Sequence, residues 1–148
     1  VMPGKYAATL TVNGKSIVKE FEVMMDPRIK IPFTSIQMQH DLSLLCYNNR
    51  IKAESFLEKI NLLKKNKKID LESLKAFTGE FTKISGNHSN ENFTSIAGIF
   101  DQLMRTLQEA DAEPTNQLIK TTEKYLIEFD DLLKKWFEFE KNKYRFNK

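Results

Sequence analysis

One cysteine stands in the 148 residues. That excludes an internal disulfide framework and any multi-cysteine metal cluster. Five glycines and four prolines are too few for a low-complexity or loop-built chain. No apolar run approaches the roughly 20 residues of a membrane-spanning helix, so no membrane insertion is expected. No basic-then-apolar segment opens the sequence, so no signal peptide is read in it. Lys and Arg number 23 against 20 Asp and Glu, and a net charge of +3 is too weak to argue for nucleic acid. What remains is the composition of a mainly helical globular chain.

The first thirty residues follow a different rule from the rest. Tyr6, Ala8, Leu10 and Val12 are apolar at every second position, the period of a half-buried strand. Asn13-Gly14 follows, and a type I′ turn needs positive φ at both of its central residues. A two-residue turn there pairs Val12 with Lys15, Leu10 with Ile17 and Tyr6 with Phe21. Those pairs gather the apolar side chains on one face. Lys19, opposite Ala8, interrupts it. Asp26-Pro27-Arg28 and Pro32 end the second strand, and Ile29 to Phe33 reads as an extended connector. A lone hairpin is marginal in water, and the sequence supplies no third strand. The expectation is therefore that the hairpin belongs to a larger β domain lying before it, with packing on the chain's own helices as the alternative.

From residue 34 onward the apolar spacing is helical. Thr34 or Ser35 is placed as the first cap. The seam Leu42, Cys46, Asn49, Ala53, Phe56, Ile60, Leu63 repeats every 3.5 residues, the mark of a bundle face. This helix should end near Lys65. A second, shorter helix is placed after an Asp70 cap, with Leu71, Leu74, Phe77, Phe81 and Ile84 inward and Gly79 inside it. A polar loop, 85–92, precedes a third helix carrying Phe93, Ile96, Ala97, Phe100, Leu103, Met104 and Leu107. The fourth starts after a Thr115 cap, carries Leu118, Thr122, Tyr125, Phe129, Leu132 and Trp136, and reaches about Lys143. The fold class read from this is mainly α: a β-hairpin and linker, 1–33, then an antiparallel up-down-up-down four-helix bundle, 34–148.

Catalytic chemistry is hard to find. His40 and His88 have no companions at metal-ligand spacing, so neither a metal nor another cofactor is expected. Cys46 lies on the seam and reads as a small core residue, and Asn49 as a polar residue that fixes register or pairs across helices. Asp130, Asp131, Glu138 and Glu140 alternate with Lys134, Lys135 and Lys141, as on a solvated helix face. The basic run Lys64, Lys65, Lys67, Lys68 lacks interleaved aromatics and reads as a helix end; contact with an anionic surface would show as strong salt dependence. Asn87-His-Ser and Asn92-Phe-Thr match the glycosylation triplet, which matters only in a eukaryotic secretory setting. The C-terminus is rich in rings. Trp136 takes the core face, and Phe137, Phe139, Tyr144 and Phe146 are the candidate interface residues.

The stretch Pro3-Gly-Lys-Tyr-Ala-Ala-Thr-Leu-Thr-Val-Asn-Gly-Lys15, followed by Phe21-Glu-Val-Met-Met-Asp-Pro-Arg28, resembles the C-terminal region of bacterial exported BNR-repeat or sortilin-like, glycosyl-hydrolase-type β-propeller proteins. Ala110-Asp-Ala-Glu-Pro-Thr115 and Leu132-Leu-Lys-Lys-Trp136 resemble the terminal helices of that family. The resemblance implies that the hairpin is the end of an immunoglobulin-like or fibronectin-like sheet, that the protein is extracytoplasmic, and that any carbohydrate chemistry belongs to an upstream propeller. No catalytic residue carries over. The expected function is a non-catalytic structural or interaction module, with its own upstream domains or another copy of the chain as partner. The alternative is a carbohydrate-binding accessory domain with Phe137, Phe139 and Tyr144 as its platform.

Overall fold

The computed structural model describes residues 2–65, 71–79 and 92–145, without the side chains of 71–73 and 143–145. Asp70, Phe81, Ile84, His88 and the 85–91 part of the expected loop lie outside the described residues.

Strand β1, Gly4–Val12, pairs antiparallel with β2, Lys15–Val23. The register is the expected one, with Val12 opposite Lys15, Leu10 opposite Ile17 and Tyr6 opposite Phe21. Asn13 and Gly14 have φ of 51° and 77°, the two left-handed residues a type I′ turn requires. The Tyr6 and Phe21 rings stack with centroids 5.9 Å apart. On the other face Thr11 and Ser16 share a 2.8 Å hydroxyl–hydroxyl hydrogen bond.

Residues 29–32 of the expected connector carry no regular secondary structure, and Phe33 already belongs to the first helix. Pro27 and Arg28 form a turn in which the Ile29 N–H donates to the Asp26 carbonyl at 3.0 Å. The Asp26 carboxylate accepts from the Arg28 backbone N–H at 2.9 Å and from its guanidinium at 2.5 to 3.1 Å. Arg28 thereby holds the Asp26 carboxyl below its ordinary pKa. Asp-Pro-Arg is thus a local device that fixes the exit from β2.

Helix α1 runs Phe33–Lys65, about 50 Å at 1.5 Å per residue. It starts two residues earlier than a Thr34 cap would allow and three earlier than a Ser35 cap would. The Ser35 and Ile36 N–H groups donate to the Pro32 carbonyl, so both expected caps lie inside the helix. Proline's fixed φ suits this entry position, and its carbonyl can still accept. Helix α2 is short, Leu71–Thr78. Helix α3 is Phe93–Gln108, and the Asn92 side chain accepts from the Ser95 N–H as its N-cap. Helix α4 is Asn116–Arg145, and the Thr115 hydroxyl accepts from the Leu118 N–H at 3.2 Å, the expected cap.

The chain is mainly helical, a hairpin followed by four helices. Helix direction departs from a full-length up-down-up-down order. Gln39, near the start of α1, donates to the carbonyls of Leu107, in the last turn of α3, and Ala110, just past its end. Phe56, late in α1, stacks at 5.0 Å on Phe93, the first residue of α3. Helices α1 and α3 are therefore antiparallel. Phe93 also meets Trp136, and Phe100 meets Phe129, so α4 reverses α3 and runs with α1. The alternation passes through α1, α3 and α4. Eight residues of helix span only about 12 Å, so α2 cannot return the chain along α1, and it packs at the end where α1 finishes.

Gly79 lies past α2 rather than inside it. Its φ is +66°, and its N–H donates to the Lys75 carbonyl at 3.1 Å. A Cβ at Gly79 would stand 2.6 Å from the Asn92 side-chain atoms that cap α3. Glycine is required here both by the left-handed backbone and by the close approach. Gly79→Ala is expected to lose about 1–3 kcal/mol, from strain and a displaced cap. Thermal unfolding measures it, and an unchanged midpoint would contradict the assignment.

The core runs from Cys46 and Ala53 to Phe56 and Ile60 of α1, through α3, to Phe129, Leu132, Leu133 and Trp136 of α4. No hairpin residue belongs to it.

Candidate functional site

The conspicuous surface is the hairpin. Tyr6, Leu10, Val12, Ile17 and Phe21 share one face by the strand period. Leu10 and Ile17, its central pair, are 63% and 69% exposed. Lys15 and Lys19 are the charged residues on that face; Lys5, Glu20 and Glu22 lie on the opposite one. An antiparallel sheet with one apolar and one polar face ordinarily buries the apolar one. Here neither face is covered by the described helices. The arrangement can bind another polypeptide surface by apolar burial and by strand addition at either edge.

The aromatic residues expected at an interface divide. Phe137 is exposed, with one edge resting on Phe56 at a 6.1 Å centroid separation. Phe139 turns inward instead, half-buried against Phe77 at 5.4 Å and Trp136 at 5.6 Å. A three-residue step returns a side chain to the Trp136 face, so Phe139 joins the core. The side chain of Tyr144 and all of Phe146 lie outside the described residues. Among the described residues, Phe137 alone cannot make a flat stacking platform for a sugar.

The polar residues have structural tasks. The Asn49 amide donates to the Leu45 carbonyl of its own helix at 2.8 Å, so it neither pairs across helices nor sets register. Asp41 lies 3.2 Å from the His40 imidazole and accepts from Gln37 at 2.8 Å. His40, then Gln37, lower its carboxyl pKa. The Ser43 hydroxyl is buried and has no partner among the described residues, so no serine–histidine hydrogen bond forms beside it. Asp131 accepts from Lys134 at 2.8 Å, and that ammonium lowers the carboxyl pKa as on a solvated face. Lys64 and Lys65 end α1, whereas Lys67 and Lys68 lie outside the described residues. Among the described residues, no three His, Cys, Asp or Glu side chains converge as a metal site.

A groove of about 430 Å3 lies where α3 turns into α4, lined by Gln39, Leu107, Ala110, Pro114, Thr115 and Leu118. The Gln39 amide there is spent on backbone carbonyls. It serves as a clamp between α1 and the α3–α4 turn, a role the sequence reading missed because glutamine on a helix carries no signal of its own. The described helices include none long and apolar enough to cross a membrane.

Compared with protein-family models, with curated proteins and with solved structures, the chain matches none.

Proposed function

We propose that this chain is a non-catalytic interaction module whose hairpin docks on a β surface of a larger exported protein. The observation that supports it is the exposed apolar face of Tyr6, Leu10, Val12, Ile17 and Phe21. Burying such a face gains about 25 cal/mol per Å2 of apolar surface. A strand pair about 30 Å long and one strand spacing wide offers a few hundred Å2. The helices anchor the hairpin through a connector stiffened by two prolines and the Asp26–Arg28 clamp.

The resemblance supplies the rest of the proposal. The partner surface is the sandwich or propeller of the same protein, and the location is extracytoplasmic. Chemistry, where there is any, resides in those upstream domains. The carbohydrate-binding alternative has less support, because Phe139 is packed inward.

Hydrogen exchange tests the proposal. Amides of 5–22 should exchange at least about a hundredfold more slowly in the longer protein than in this chain alone. Equal exchange in both would contradict it. Glycan binding by the chain, lost in Phe137→Ala, would favour the alternative.

A further inference from the structure

The outer side of α1 carries a second seam. Gln37, His40, Leu44, Tyr47, Ile51, Glu54 and Glu58 follow one another at alternating steps of three and four residues, the spacing of a coiled-coil face. This seam lies on the opposite side of the helix from Cys46, Ala53, Phe56 and Ile60. Its middle is apolar and open, with Leu44, Tyr47 and Ile51 at 47%, 44% and 42% exposure. Arg50 lies over the Tyr47 ring at 5.7 Å and reaches Glu54 at 3.5 Å, which orders the centre.

Charge is confined to one end of the seam. Glu54 and Glu58 stand there, whereas Gln37, His40 and Leu44 of the other end carry no formal charge at pH 7. A parallel copy would oppose Glu54 to Glu54 and Glu58 to Glu58, a like-charge arrangement that costs stability. An antiparallel copy places Glu58 opposite His40 of its partner, Tyr47 opposite Ile51 twice in the centre, and Leu44 along the stem of Glu54. The antiparallel orientation keeps the glutamates of the two copies apart and sets the apolar centre against itself.

We propose that α1 pairs antiparallel with α1 of a second copy of this chain, through Leu44, Tyr47 and Ile51. The two-fold axis passes beside Asn48 and Asn49. The contact spans about 27 Å of helix, which places it among small, reversible interfaces. It is separate from the hairpin face and does not depend on what covers that face.

Sedimentation of the full chain between about 10 μM and 1 mM tests it. The chain should dimerise. Ile51→Glu should weaken dimerisation at least about tenfold without lowering the unfolding midpoint of the dilute, monomeric chain, since Ile51 is outside the core. Leu10→Asp on the hairpin should leave it unchanged. A short bismaleimide should join two copies of Asn48→Cys but not of Gln37→Cys, whose thiols would lie about 36 Å apart in the antiparallel pair. A monomer at every concentration overturns the proposal. So does a dimer indifferent to Ile51→Glu, one abolished by Leu10→Asp, or one cross-linked through Gln37→Cys.

Discussion

Trp136→Ala is expected to destabilise the helices by about 3–5 kcal/mol, the range for removing a fully buried large ring. Trp136 is 0% exposed and is met by four phenylalanine rings. Phe77 lies edge-on at 5.1 Å, Phe139 at 5.6 Å, and Phe56 and Phe93 both at 6.0 Å. These rings come from α1, α2, α3 and α4, so one truncation opens a cavity that touches every helix. Close packing prevents the neighbours from filling it fully. Trp136→Phe should cost markedly less. It keeps most of the ring volume and removes an indole N–H that is buried without a partner among the described residues. Chemical denaturation of the three proteins checks the order. An alanine variant within 1 kcal/mol of the parent, as an order-of-magnitude bound, would remove Trp136 from the centre of the core.

The Cys46 thiol should react with a disulfide reagent at pH 8 at least about a thousandfold more slowly in the folded chain than in denaturant. Cys46 is 0% exposed on the inner seam of α1. Burial pushes its pKa up from 9.0 to about 11, and a hydrogen bond with the Thr122 side chain opposes that only in part. Two effects then act together: less thiolate, and no access without opening of the helices. The same shift gives a pH dependence. Above pH 9 the unfolded thiol loses its proton while the folded thiol keeps it, so protons are released on unfolding. The stability from this group is complete below pH 9 and is lost as pH rises toward 11. Cys46→Ala should remove that part of the alkaline decline. Labelling in the folded state at the denatured rate would show that Cys46 is accessible.

The hairpin could be read from the sequence nearly residue by residue. A two-residue Asn-Gly turn leaves a single register, and alternation independently selects the same one. The spans of α1 and α4 were legible for a comparable reason, since each repeats its apolar spacing over many turns. Local exceptions were less legible. Gly79 reads as a weak spot in a longer helix until its left-handed φ and its contact with Asn92 are known. Helix direction depends on how far α2 carries the chain, which apolar spacing alone does not encode. Asn49 and Gln39 differ in role because one faces its own helix and the other faces two carbonyls of α3 and its turn. The candidate site was legible as an apolar strand face without a partner strand. Phe139 was misplaced because its inward turn depends on Phe77, supplied by α2.

The central claim is that the helices carry the stability and leave the hairpin face free for a partner. Guanidinium unfolding of the chain beside the double variant Leu10→Asp, Ile17→Asp, followed by helical circular dichroism, tests it most directly. Both residues are exposed, so the two curves should agree within about 0.5 kcal/mol. A loss of more than about 1.5 kcal/mol in the variant would mean that the hairpin face is already buried within the fold, and would contradict its assignment as a docking surface.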